Sequence, residues 1–432
     1  MTESPYDFDF AVAGGGPAGS SAAICLGQRG HSVVLLEREI FPRFHIGESL
    51  LSTVNDAFAT LGVAERIEAA GFPAKWGARL YTHDGEGGRY VDFADARGVM
   101  RPQTYQVNRQ EFDRILLERA QESGVDVRQG SNVAACEFSD DAATIEFSSR
   151  TDGATGRIRA RALVDATGRG GLIARKFNLR SDEPLLANVS IFSHYTNIPR
   201  LEGPRPDDIR LVARSDAGWF WLIPISKELT SVGVVLPKAL YRRLANGSPE
   251  ETLNCTISDT PVVADLMREA RREWPVRVEK DFSYSASVYA GDRWVLAGDA
   301  GSFLDPVFST GVSIAMESGI EAAAELHQAL ERNDFSASRF AGFSRRQRKR
   351  FETFRQFVVG FYTPQFRDIF FSSPHPQKLL FRSVVTILAG RWNAGLWTRF
   401  LNQLFFGFVS IQKHFKMSRS VFRRDRDAGY PQ

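Results

Sequence analysis

The strongest restriction on how this chain can fold lies at its start. Residues 9–13 form a short apolar run, Gly14-Gly15-Gly16-Pro17-Ala18-Gly19 follows, residues 17–29 are rich in small side chains, and residues 32–37 form a second apolar run. A strand, a glycine turn, a helix and a second strand make a βαβ unit. Such a unit commits the chain to a parallel sheet with helices on its faces. The turn has G-x-G-x-x-G spacing. Its first glycine allows the sharp turn, and its second lets backbone approach a pyrophosphate at the positive end of the helix. The third lets helix and strand pack closely. Glu37 ends the second strand about twenty residues on, where a carboxylate reaches a ribose hydroxyl. These features point to a dinucleotide site, and the turn alone suits NAD and FAD equally.

The 432 residues suffice for two or three domains, and 43% hydrophobic with 24% charged residues is ordinary for a soluble globular protein. The net charge of +3 is unevenly spread: residues 336–432 hold 18 lysines and arginines against 4 acids, and the rest of the chain 36 against 47. The basic clusters are Arg345-Arg346-Gln347-Arg348-Lys349-Arg350 and Arg423-Arg424-Asp425-Arg426. They suit either an anionic partner or the solvated side of an amphipathic helical cap. No nucleic-acid recognition motif accompanies them. Cys25, Cys136 and Cys255 show no C-x-x-C spacing, which argues against a disulfide framework or a thiolate metal site and fits a reducing, cytoplasmic setting. The polar, acidic first residues do not resemble a signal peptide, and no run of about 18 uncharged apolar residues predicts a spanning helix.

Further along, Phe112, Ile115, Leu116 and Ala120 share one face of an expected helix over 108–123. Strands are expected around the Asp140-Asp141 turn and over 161–166. Residues 187–236 alternate and are rich in β-formers, which predicts a mostly antiparallel sheet. A strand at 293–297 runs into Gly298-Asp299, a helix is expected over 312–332, and 335–432 read as helical, aromatic and basic.

Gly298-Asp299 resembles the second FAD motif of the glutathione-reductase-like flavoproteins, in which the Asp bonds a ribityl hydroxyl and the next helix points its N-terminus at the flavin. Asp165-Ala166-Thr167-Gly168 resembles that family's middle motif. Arg109 resembles a residue that reaches the cofactor's phosphate or ribityl region, with a plain surface arginine as the alternative. The resemblance implies FAD and an α/β, Rossmann-like FAD-binding fold of glutathione-reductase type. In this organisation residues 1–80, 106–182 and 285–334 bind FAD. Residues 81–105 and 183–284 make an interleaved, mostly antiparallel β-sheet domain on the substrate side. Residues 335–432 form a helical, basic C-terminal cap.

Trp219-Phe220-Trp221-Leu222-Ile223-Pro224 reads by itself as a buried strand with two indoles on one face. It also matches W-x-W-x-I-P in full. Phe303, Pro306, Ser309 and Gly311 match F-x-x-P-x-x-S-x-G; His45-Ile46-Gly47-Glu48-Ser49 matches H-x-G-E-S; Lys75 stands in the F-x-x-K-x-G of residues 72–77. On these motifs residues 8–335 resemble the flavin-dependent halogenases, in their phenol and pyrrole branch. The resemblance implies cofactor contacts from Gly14, Gly16, Ala18, Gly19, Glu37, Arg38, Gly47, Glu48, Ser49, Arg109, Asp299, Gly311 and Val312. It implies a halide site, for chloride or bromide, at the backbone of Thr310 and Gly311. Lys75, Ser309, Trp219 and Trp221 are then the catalytic set. Hypohalous acid made from FADH2, oxygen and halide passes the two indoles to Lys75, which either hydrogen-bonds it or becomes a haloamine.

One departure narrows the expectation. Tryptophan halogenases carry a Glu two residues before the Thr-Gly pair, and here that place is Phe308. Without that base the expected acceptor is a strongly activated ring, a phenol or a pyrrole rather than free tryptophan, either free or tethered to a carrier protein. Chlorination is the expected outcome. A separate flavin reductase is the expected source of FADH2, and an acyl or peptidyl carrier protein the expected occupant of the basic tail. Three alternatives stay open on the sequence: an NAD(P)H-driven aromatic hydroxylase, a geranylgeranyl-reductase-like prenyl reductase whose Y-x-W-x-F-P resembles 219–224, and an idle flavoprotein scaffold.

Overall fold

The computed structural model describes residues 5–245, 247–280, 283–371, 378–415, 422 and 430. The opening βαβ unit forms as strand Phe8–Ala13, helix Pro17–Gly27 and strand Val33–Glu37. These strands lie inside one sheet in the order 290–291, 294–296, 155–165, 8–13, 33–37, 126–129. Strand Phe8–Ala13 is central and runs parallel to both neighbours. Both of its faces are covered, which explains its unbroken apolar sequence.

Helix Pro17–Gly27 and helix Gly311–Arg332 pack side by side on one face of this sheet. Small residues allow the approach: a Cβ on Gly319 would overlap the Ala18 carbonyl oxygen, and one on Gly298 would stand 2.9 Å from the Ala18 Cβ. The two helix N-termini therefore open onto one cleft above the carboxyl ends of the parallel strands, where ligands bind in open α/β sheets.

The second large sheet has the order 271–272, 188–196, 230–237, 219–224, 209–213, 77–82, 88–92, with 277–280 also on 188–196. It is antiparallel except where Ile209–Ala213 runs parallel to Gly77–Thr82. One face carries Trp219, Trp221, Leu211 and Leu80, and helices Ala341–Phe361, Pro364–Phe371, Lys378–Leu388 and Leu396–Phe415 cover it. The other face packs on short helices at 238–244, 249–258 and 261–266. Among the described residues no helix is long and apolar enough to cross a membrane.

The helix contact gives a test. Gly319→Ala should destabilise the fold by about 1–3 kcal/mol through overpacking. Gly407→Ala, on an exposed helix position with nothing near its Cβ, should stabilise it by about 0.4–1 kcal/mol. Urea unfolding midpoints of the two variants compare them directly.

Candidate active site

At the dinucleotide end the glycines have separate tasks. Gly14 has φ +103° and no room for a side chain against the Ala166 carbonyl. A Cβ on Gly19 would overlap the Gly14 carbonyl oxygen, whereas Gly16 faces open space, its nearest neighbour 3.6 Å away at Arg43. No side chain caps the helix that begins at Pro17. Glu37 accepts from the Gly15 N–H at 2.6 Å and the Glu39 N–H at 2.8 Å, so its carboxylate is fixed beside the turn. Arg38 is exposed and lies 3.7 Å from Glu39.

Arg109 opens helix Arg109–Glu122 and is buried, so it is not a surface arginine. Its guanidinium forks onto Asp113 at 2.8 Å through both Nε and Nη2, and donates to the carbonyls of Ile46 at 2.9 Å and Gly47 at 3.2 Å. Arg43 reaches the same carboxylate at 2.9 Å. Burial acts to raise the Asp113 carboxyl, but the two arginines hold it below the usual range. The loop 43–49 is thereby tied to a helix, with Glu48 buried against His194 at 2.8 Å.

Asp299 lies partly buried, and among the described residues no donor reaches its carboxylate. Burial pushes it up to about 6, against the pull of Arg109 and Arg169. The segment after it folds around Asp305. This buried carboxylate accepts from Asn188 at 2.8 Å, from the Tyr362 hydroxyl at 2.9 Å and from the Val307 N–H at 3.2 Å. Trp219 Nε1 in turn donates to the Tyr362 hydroxyl at 2.7 Å. The short turn Pro306–Phe308 ends in Ser309 at φ +58°, and helix Gly311–Arg332 begins. Thr310 is buried, nothing stands within 4 Å of a Cβ on Gly311, and among the described residues no acceptor meets the N–H groups of Thr310 and Gly311. Val312 is buried beneath them.

Lys75 lies in the short strand Ala74–Lys75 and is 1% exposed. Its ammonium donates to Ser49 Oγ at 2.8 Å and to the Leu50 carbonyl at 2.7 Å, 5.1 Å from the Phe93 ring centroid. Burial pulls it down to about 7, against the raising effect of Asp208. Asp208 also accepts from the N–H groups of Trp76 and Gly77 at 2.5 and 3.0 Å and so fixes the strand beside the lysine. Lys75, Phe308 and Ser309 line one small, partly open cavity of ≈ 30 Å³, with Leu80, Val91, Leu211, Phe370 and Leu388 also in its walls. Trp219 and Trp221 do not line it. They share one buried sheet face with centroids 5.9 Å apart, Trp219 against Phe361 and Trp221 against Phe192. They pack as two indoles on one face of a buried strand.

The sequence brought Lys75, Ser309 and the Thr310-Gly311 backbone into view. It missed Asp113, Asp208, Asp305 and Tyr362. Asp305 had a signal, because an Asp before a Pro is a helix-start pattern, and here it caps the turn. The basic tail differs from its expectation. Arg350 is turned inward onto Glu317 and Glu321, and Arg346, though exposed, pairs with Glu325. Arg345, Arg348 and Lys349 stay exposed with no carboxylate partner among the described residues. The cluster 423–426 lies outside those residues.

Two uncapped helix ends facing one cleft, the Gly16 and Gly311 openings, and an unclaimed Asp299 carboxylate fit an FAD molecule lying across the cleft. A sequence profile of the FAD binding domain matches residues 7–349, and the chain belongs to that family. Its relatives define the class further. Over 381 residues it is 34% identical to the 1H-pyrrole-2-carbonyl-[peptidyl-carrier protein] chlorinase of Pseudomonas fluorescens, covering 83% of this chain and 84% of that one. It is 35% identical to the tryptophan 2-halogenase of Chondromyces crocatus, over 83% of this chain and 68% of that one. The flavin-dependent brominase Bmp2 superposes with a TM-score of 0.81 at 28% identity, over 94% of this chain and all of that one. The protein is a flavin-dependent halogenase, using FAD and halide on an aromatic acceptor.

Asp305 gives the site's first test. Its folded-state value of about 6 lies above the ordinary 3.8, so its contribution to stability is full below about pH 4 and is lost as pH rises through about 6. Asp305→Asn should flatten the stability profile across that window. Tyr362→Phe, which strips a donor from the buried carboxylate, should cost about 1–3 kcal/mol. Both are read by denaturant unfolding across pH.

Proposed function

We propose that this halogenase acts on a phenol or a pyrrole and that Lys75 hands the halogen to the ring. The observation that carries the reading is the meeting of a buried amine, drawn down to about 7, with Ser309 and Phe308 in one small cavity. FAD, bound as FADH2, supplies hypohalous acid from oxygen and halide. The chain does the rest. Gly14, Gly16, Ala18 and Gly19 seat the pyrophosphate, with Glu37 and Arg38 at the ribose end. Arg109, Gly47, Glu48, Ser49, Asp299 and Val312 border the ribityl and flavin end. The free N–H groups of Thr310 and Gly311 hold the halide at a helix start.

Nζ of Lys75 spends two N–H groups on Ser49 and Leu50, and its third position is left for the cavity. As an ammonium it donates that proton to the oxygen of the hypohalous acid, so that water leaves as the ring takes the halogen, and the neutral amine left behind takes up the proton that the ring then loses. Phe308 offers no base, and the acceptor must carry its own activation. Trp219 and Trp221 stiffen the sheet whose face carries the cavity walls Leu80 and Leu211. Chloride is the proposed halide.

A separate flavin reductase is the proposed source of FADH2. The pyrrole chlorinase among the relatives acts on a carrier-bound substrate. Arg345, Arg348 and Lys349 are the exposed cations suited to an acidic carrier protein. The three free cysteines fit a cytoplasmic location.

Lys75→Met should lower product more than a hundredfold while FADH2 oxidation and trapped hypohalous acid persist; product at wild-type levels would remove Lys75 from the path. Halogen transfer should fall as pH rises through about 7, because the ammonium is the working form. A rise over that range would assign the step to a haloamine. Replacing Arg345, Arg348 and Lys349 by Glu should weaken carrier binding about tenfold at low salt and less at high salt, as titration calorimetry would report.

A further inference from the structure

Arg89 lies on strand Gly88–Asp92, on the sheet face that walls the Lys75 cavity. Leu80, its partner across the ladder, and Val91, the next residue on the same face, both line that cavity. The Arg89 guanidinium carbon stands 4.0 Å over the Phe381 ring, and Phe381 lies 6.0 Å from Phe370, another cavity wall. Arg89 is 7% exposed, yet both of its terminal nitrogens are buried without a hydrogen-bond partner. Among the described residues no carboxylate acts on it. Burial alone pulls the group down to about 10, which leaves it a cation at neutral pH.

Other buried arginines of this chain are provided for. Arg109 forks onto Asp113, Arg214 onto Asp216, and Arg367 donates to the backbone carbonyls of Phe361, Asp216, Ala217 and Gly218. Arg210 shares the deficit of Arg89, but alternation along its strand turns it to the opposite sheet face, away from the cavity. A buried cation with no counter-charge is strongly unfavourable, and a buried donor pair left open calls for an acceptor that arrives from outside. The two terminal N–H groups of a guanidinium form a planar fork that matches the paired oxygens of a carboxylate or a phosphate. Phe93, the ring beneath Lys75, is four residues along the chain, roughly 13 Å away at the rise of a strand.

We propose that Arg89 anchors an oxyanion carried by the halogen acceptor, either the carboxylate of a free aryl acid or the phosphate of a thioester tether. The assignment rests on the reading of the Lys75 cavity as the acceptor's seat. It gives the enzyme a specificity element at the end of the acceptor remote from the ring, set apart from the lysine that meets the ring itself.

The experiment is equilibrium binding to the full-length, FAD-loaded protein, read by quenching of indole fluorescence. Two matched pairs serve as probes: pyrrole-2-carboxylate against its carboxamide, and an aroyl-pantetheine thioester with and without its 4′-phosphate. The wild type should bind the anionic member of at least one pair tenfold or more tightly than its neutral partner. Arg89→Met should erase that preference and Arg89→Lys should retain part of it; the pair that responds identifies the source of the oxyanion. Should Arg89→Met fail to fold, Arg89→Gln serves the same comparison. Equal binding of anionic and neutral members by the wild type, or a preference that survives loss of the guanidinium, overturns the assignment while leaving the cavity reading in place. If no member of either pair binds, both fall.

Discussion

The buried Asp305 carboxylate holds together three parts of the chain that are far apart in sequence. Asn188 brings the second sheet to it, Tyr362 brings the C-terminal helices, and its own backbone belongs to the turn that starts helix Gly311–Arg332. Each donated hydrogen bond helps offset the cost of burying the carboxylate, and none of the donors is a full positive charge. Removing one therefore loosens more than a single contact. Trp219 is drawn in through Tyr362, so the indole strand and the turn at 306–309 share one anchor.

Charge is handled differently at the two ends of the site. Around the FAD cleft, arginines and carboxylates are paired within a few residues of the glycine turn and the 43–49 loop, as in the Arg43–Asp113–Arg109 cluster. Around Lys75 the walls are apolar, and the nearest balancing carboxylate, Asp208, is occupied with backbone N–H groups and the Tyr90 hydroxyl. Desolvation thus dominates at the lysine, and its proton is held loosely enough to be given up near neutral pH.

Local patterns in the sequence foretold local structure well. The strand–glycine–helix start, the helix capped by Asn108, the alternation through 219–224 and the long helix from Gly311 are all encoded within a few residues of where they act. The parallel pairing of 209–213 with 77–82 was not legible, because it joins segments more than a hundred residues apart with no periodic signal between them. Asp208, Tyr362 and Arg89 were hidden for a related reason: a single polar residue in or beside a strand or helix reads as surface until the fold buries it. The basic tail misled in the opposite direction. The charge at 350 read as part of an exposed run, but helical spacing buries it against Glu317 and Glu321 of the neighbouring helix, while Arg346 stays exposed and pairs with Glu325.

The cavity between Ser309 and Lys75 has a consequence for the order of events. Its ≈ 30 Å³ exceeds the roughly 10–15 Å³ that one water requires and falls far short of the about 150 Å³ cavity that takes benzene. The space is therefore a sieve: a triatomic oxidant passes and an aromatic ring does not. Phe308, Phe370 or Leu388 has to give way before a ring can come within reach of the lysine. On the proposed path, oxidant formed ahead of that movement meets a single amine in this space, and the rate at which the walls part then sets how much of it is wasted.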